Sequence, residues 1–138
     1  MRMTKYQAYH HAMREMGHVS AMEMDEQGVF AVTIRFASTM LYTDLSQVAL
    51  REYTGLHDKN GKEIYDGDIV KIEEENTSGS RPGVYPVTWG YFNDCCVEGE
   101  TWILGEFWQP TLWANHEECE IIGNIYEHPE LMRTTGEV

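Results

Sequence analysis

No stretch of the sequence approaches the roughly eighteen consecutive apolar residues that a membrane-spanning helix needs, so no membrane partner is expected. Met1-Arg2-Met3-Thr4-Lys5-Tyr6-Gln7 does not lead into an apolar segment with a small-residue cleavage site, so no secretory leader is expected either, and the protein is placed in the cytoplasm. Basic charge is scarce: ten Lys and Arg stand against 23 Asp and Glu, a formal charge of −13. Binding to nucleic acid backbones draws its affinity from cations that neutralise phosphates, which disfavours direct DNA or RNA binding. Cysteine is limited to Cys95, Cys96 and Cys119. Neighbouring Cα atoms only about 3.8 Å apart cannot normally be bridged, so an odd set with one adjacent pair makes no disulfide framework. Reduced, partly buried thiols fit better. Internal repeats and low-complexity tracts are also missing.

The composition is that of a folded protein, 42% hydrophobic and 24% charged over 138 residues, enough chain to bury a core. Its most informative stretch runs from Tyr53 to Ile72. Asp58-Lys59-Asn60-Gly61 is a tight turn, because Asn tolerates left-handed φ and Gly adopts it freely. A second reversal follows at Asp66-Gly67-Asp68, and Ile69, Val70 and Ile72 then form a β-branched run interrupted by Lys71, the pattern of a strand with a buried face. A calcium loop is the sharper alternative, with Asp58 and Asn60 at its first and third positions. It fails further on, where Lys62 holds the fifth position, Gly61 the fourth, and Ile69 the twelfth in place of a bidentate Glu.

Two ordered motifs extend the argument. Tyr53-Thr54-Gly55-Leu56 through Val70, and Ile122-Gly123-Asn124-Ile125-Tyr126-Glu127-His128-Pro129-Glu130-Leu131, resemble the YopX protein family, small proteins met mostly in bacteriophages and prophages. The family signature is close to "YTGL-DKNGKEIYEGDIV" followed by "IGNIYENPEL". The resemblance covers roughly Leu50 to Leu131; the "Lys-Phe-Arg-Ala-Trp-Asp" type of opening strand is not found before Leu41. It implies a mainly β fold with a small barrel, a tendency to self-associate, and a bacterial host. It brings no agreed catalytic residues.

Elsewhere, Thr4 followed by Gln7 has the form of a capping box. Tyr6, Tyr9, Met13 and Met16 recur at three, four and three residues, which predicts a helix closed by Gly17, its stripe packing on the core or on a neighbouring subunit. Ser20–Met24 and Val29–Phe36 read as a hairpin around Asp25-Glu26-Gln27-Gly28, with Phe30, Val32, Ile34 and Phe36 sharing a face. Glu73–Gly83 reads as an exposed loop. Val84–Tyr91 carries Val87, Trp89 and Tyr91 on one face, and Pro86 marks it as an edge strand or a bulge. Thr101–Phe107 turns Trp102 and Leu104 inward, Glu120–Tyr126 is the last strand, and the tail after Leu131 is expected to fray.

Reactive chemistry finds little support. Cys95, Cys96, His116 and Cys119 are zinc-ligand types, but adjacent strand cysteines point to opposite faces and no Cys-x-x-Cys pair is present. His10, His11 and His18 lack the i, i+4 spacing of a helical metal pair. Asp94 and Glu98 oppose thiolate formation at Cys95 and Cys96. More informative is the surplus of aromatics: Trp89, Tyr91, Phe92, Trp102, Phe107, Trp108 and Trp113 cannot all be buried by strand alternation. The candidate protein contacts are therefore Trp108 and Trp113, with Tyr6, Tyr9, Met13 and Met16 for self-association.

The expected architecture is mainly β with minor α. It comprises an N-terminal helix and hairpin in residues 1–49, an SH3-like or partly open small barrel in 50–131, and a flexible tail in 132–138. The expected function is that of a non-enzymatic interaction protein without cofactor, whose partners are its own copies and a host or phage protein. The alternatives are an acidic nucleic-acid mimic that inhibits a host DNA-binding protein, and a Cys/His metal-binding protein.

Overall fold

β-branched and aromatic residues recur along the chain, and most of their runs become strands. The computed structural model describes residues 5–73, 82–93, 98–105 and 111–132. Its strands are β1 (Tyr6–His10), β2 (Glu15–Asp25), β3 (Gly28–Arg35), β4 (Met40–Asp44), β5 (Val48–His57), β6 (Glu63–Tyr65), β7 (Asp68–Ile72), β8 (Gly83–Asn93), β9 (Glu98–Leu104) and β10 (Glu120–Asn124). Helical segments are short: 3-10 turns at Leu45–Gln47 and His116–Glu118, and α1 at Leu112–Asn115. None of the helices among the described residues is long and apolar enough to cross a membrane. The chain divides into two compact units, Met1–Tyr53 and Thr54–Val138.

In the first unit the strands are ordered β4-β3-β2-β1-β5, all antiparallel. The expected helix over Tyr6 to Met16 is not formed. Those residues make β1, a turn, and the start of β2, with Gln7 opposite His18 and Tyr9 opposite Met16. The turn closes through Arg14 N to His10 O at 2.8 Å and Met13 N to His10 Nδ1 at 3.1 Å, with Arg14 in the left-handed region at φ 56°. β1 lies between β2 and β5, so partners distant in sequence satisfy its backbone on both sides, an alternative that outweighs a weak helical periodicity.

Gly17 is accordingly not a helix stop. A Cβ there would lie 2.5 Å from Ile34 Cγ2 and 2.8 Å from Arg35 O, so its lack of a side chain permits a close strand approach. Val32, Ile34 and Phe36 do share the buried face, with Ala8 and Val48. Phe30 leaves it: the register steps from Glu23↔Ala31 to Met24↔Val29, so Phe30 is the extra residue of a bulge and turns outward.

In the second unit β5 continues past Tyr53 and flanks β6, and Thr54 Oγ1 donates to Ile64 O at 2.7 Å. The reversal at Asp66-Gly67 is a corner between sheets, since β7 pairs with β10 and β8 instead. The resulting sheet is ordered β10-β7-β8-β9. Ile69, Val70 and Ile72 are buried as the pattern required, and Val70 and Ile72 pack with Ile64, Val87, Trp102, Leu104, Leu112 and Cys119.

The expectation of a mainly β chain with an SH3-like or partly open barrel is met in its mainly β character; among the described residues the strands form two open sheets and no closed barrel. β8 is interior, not an edge. Pro86 stands at the last register pair with β7, beyond which β8 pairs with β9 alone, so its missing N–H falls where that ladder ends. Most of the expected loop at 73–83 and of the tail at 132–138 lies outside the described residues.

Candidate functional site

The two motifs that carry the family resemblance meet in space. Asp58 N donates to Lys62 O at 2.9 Å and Gly61 N to Asp58 O at 3.0 Å. Only Gly61 of this turn is left-handed, at φ 82°, as in a type I turn with Asp first and Gly fourth. The buried Asp58 carboxylate accepts Asn60 N and Lys62 N at Oδ1, each at 2.9 Å, and Ile121 N at Oδ2 at 3.0 Å. Burial by itself would raise this carboxyl. The N–H groups of Ile121, Lys62 and Asn60, with the Lys62 charge, outweigh it and hold the pKa below the usual carboxylate range.

Lys59 N donates to Cys119 O and Ile125 N to Gly67 O, both at 2.9 Å. Gly67, at φ 83°, needs its left-handed freedom for the corner. In the second motif Asn124 Oδ1 accepts Tyr126 N at 3.0 Å and Glu127 N at 2.8 Å, while Asn124 N donates to His128 Nδ1 at 3.2 Å. A Cβ on Gly123 would lie 2.8 Å from that Nδ1. The signature residues of this chain therefore lock one another, and Asp58 directs its charge at backbone amides.

The Cys119 thiol is equally quiet. Cys119 is fully buried, and desolvation, followed by the charge of Asp58, pushes its thiol up to about 12, far from the thiolate a nucleophile requires. Its Sγ donates to His116 O at 3.4 Å, and His116 Nδ1 lies 2.7 Å from His57 O. His116 and Cys119 are thus neighbours through a backbone carbonyl. Cys95 and Cys96, the other half of the zinc alternative, lie outside the described residues. Among the described residues no three His, Cys, Asp or Glu side chains are grouped as a metal site would need.

What remains open is aromatic and apolar. From Val87 onward β8 and β9 form a two-stranded ribbon in register Val87↔Leu104, Trp89↔Trp102 and Tyr91↔Glu100, and directly opposite residues share a face. Val87 and Leu104 root that face in the core; Trp89 and Tyr91 are 50% and 57% exposed. Trp89 stands edge-on to the buried Trp102, centroids 5.1 Å apart at 77°, and its Nε1 donates to Glu100 Oε2 at 3.1 Å. On the opposite face Ile103 lies across Gly90, where a Cβ would come within 2.6 Å of Ile103 Cδ1.

The sequence-based contact residues are scattered by comparison. Trp113 is 74% exposed on α1, while Trp108 lies outside the described residues. Tyr6 and Tyr9 fall on opposite faces of β1, Met16 stands opposite Tyr9, and Met13 is exposed in the turn, so the single stripe does not assemble. Glu100 was missed. The alternation of Glu100 and Trp102 along β9 held the signal, since it puts Glu100 on the face of Trp102, opposite Tyr91.

Charge separates the units as well. Residues 1–53 hold five Lys or Arg and six Asp or Glu, and residues 54–138 hold five and seventeen, giving formal charges of −1 and −12.

These features define an antiparallel, two-unit β protein whose carboxylate- and amide-clamped turns are structural and whose open surface is aromatic. The chain belongs to the YopX protein family, whose model matches residues 5–133. Among solved structures it is similar to protein EF1440 from Enterococcus faecalis, at 21% identity and a TM-score of 0.62 over 96% of this chain and 99% of that one. It is also similar to protein yopX from Bacillus subtilis, at 18% identity and a TM-score of 0.53 over 92% and 96%. At these identities the likeness is one of fold. No curated protein matches the sequence.

Proposed function

We propose that this chain is a non-enzymatic interaction module, encoded by a phage or prophage and acting in the bacterial cytoplasm, which contacts a host or phage protein and associates with its own copies. The observation that carries this reading is the set of large apolar side chains left exposed: Met24, Met40 and Tyr42 on strands of the first unit, Trp89 and Tyr91 on β8 and Trp113 on α1 in the second. Large apolar side chains left exposed in this way are candidates for contact with another protein.

Self-association draws further support from β4. It is the outer strand of the first unit, and Met40-Leu41-Tyr42-Thr43-Asp44 contains no Lys or Pro, the devices that guard an edge against pairing with another strand. Size-exclusion chromatography with light scattering tests this directly: a concentration-dependent oligomer reduced to monomer by Tyr42→Lys supports it, and a strict monomer at all concentrations refutes the self-associating part.

The second reading, mimicry of nucleic acid charge to occupy a basic host protein, is favoured by the concentration of −12 in residues 54–138. It predicts salt-sensitive binding that does not depend on any one aromatic side chain.

A further inference from the structure

The two-stranded ribbon of β8 and β9 carries its exposed Trp89 and Tyr91 on one face, and the composition of that face specifies what it can hold. Trp89 and Tyr91 are at least half exposed, the buried Trp102 stands edge-on beside Trp89, and Glu100 accepts from the Trp89 indole N–H at 3.1 Å. Neither strand contains a Lys or Arg; their charged residues are Glu98 and Glu100. They belong to a unit of formal charge −12.

Three physical terms then point the same way. Aromatic faces attract cations through the ring quadrupole. A carboxylate close to the rings adds a charge-assisted hydrogen bond to a guanidinium or ammonium group. The field of the surrounding unit draws cations in and repels nucleic acid, which would otherwise compete for stacking on the same rings. From these we infer that the Trp89–Tyr91–Glu100 face docks a basic segment of a partner protein, one Arg or Lys side chain lying over Trp89 or Tyr91 with its charge toward Glu100. Arg is preferred over Lys, because a planar guanidinium stacks on a ring and presents a fork to a carboxylate. The inference rests on the interaction-module reading and names the chemistry of its partner.

The test is fluorescence anisotropy with the full-length chain and short labelled peptides of Arg-Gly, Lys-Gly and Gln-Gly repeats, with single-stranded oligo-dT as a fourth probe. The Arg-Gly peptide binds most tightly, and its affinity falls at least about tenfold as NaCl rises from about 50 to about 500 mM. Trp89→Ala and Tyr91→Ser each weaken it at least about fivefold and Glu100→Gln about threefold, whereas Thr101→Ala, on the other face of the ribbon, leaves it unchanged. Circular dichroism verifies that each variant is folded, and Tyr91→Ser, altering a largely exposed ring, serves where Trp89→Ala is not.

Arg-Gly binding that is salt-sensitive but indifferent to Trp89 and Tyr91 overturns the inference in favour of charge mimicry. Aromatic-dependent binding of the Gln-Gly peptide alone overturns the basic partner while leaving the interaction module standing. Binding of oligo-dT in place of the peptides overturns it in favour of nucleic acid. If no probe binds, the inference falls; a strict monomer in light scattering would then remove the self-associating part of the parent reading as well.

Discussion

The two units use the same antiparallel geometry with opposite economies of contact. In residues 1–53 successive strands β1 to β4 fold as consecutive hairpins, with β5 returning to pair with β1, the formal charge is close to neutral, and the unit coheres through a small apolar cluster around Val32 and Ile34. In residues 54–138 strands far apart in sequence are brought together, β7 beside β10, under a charge of −12. Here polar side chains hold the turns: Asp58 grips three amides and Asn124 two. A highly charged unit repels itself, and well-placed buried hydrogen bonds to charged groups add to its apolar core in resisting that repulsion.

The comparison is broken or sharpened most strongly at Asp58. Asp58→Ala leaves the Asn60, Lys62 and Ile121 amides without an acceptor and is expected to cost about 4 kcal/mol. Hydrogen exchange should show the loss in β7 and β10 while β1 to β4 keep their protection. Equal loss in both units would mean that they unfold as one body. Ile34→Ala is the matching change in the first unit. Ile34 is fully buried, so denaturant unfolding should reveal a loss of about 3 kcal/mol, located by exchange in β2 and β3.

A smaller effect is expected from Gly17→Ala, where the added methyl meets Ile34 Cγ2 and the Arg35 carbonyl; overpacking of this kind costs about 2 kcal/mol. The same substitution in a helix C-cap would have been nearly silent in the core, so the measurement also tests the strand assignment of β2.

Acid titration separates the units again. The folded pKa of Asp58 is depressed from its ordinary 3.8, so its contribution is complete above 3.8 and is lost as pH falls through the folded value. Stability of the second unit should therefore drop steeply below pH 3.8, and Asp58→Asn should flatten that slope relative to its own neutral-pH baseline. The least perturbing change is Tyr91→Ser: more than half the ring is exposed, and thermal unfolding should register no more than about 0.5 kcal/mol.

Local chemistry made much of this architecture readable. Gly61 and Gly67 stand where the backbone must turn left-handed, and the Ile69-Val70-Ile72 pattern announced a buried strand, because turn propensity and β-branching act over a few residues. The error at Tyr6 to Met16 has an equally physical origin. A spacing of three and four also occurs by accident in a strand, and what decided the outcome was β5, some forty residues away, pairing Tyr6 with Glu52 and His10 with Val48. Phe30 misled in the same way, since a bulge depends on the partner strand's register.

The aromatic excess near residues 89–113 was visible in the letters, but not which rings would be open. Trp89 and Trp102 are the same residue type on paired positions, one half exposed and one buried. Their fates differ because the core beneath them ends between the two.

Composition, turn residues and strand alternation by themselves determined that this is an acidic, mainly β protein with reversals at Asn60-Gly61 and Asp66-Gly67, because each of those signals is written within a few consecutive residues. Only tertiary structure decided that the N-terminal segment is strand, that Asp58 also accepts the Ile121 amide from a strand about sixty residues away, and that Trp89, Tyr91 and Glu100 share an open face. Those outcomes depend on which distant backbones pair, and pairing partners are chosen by the whole fold.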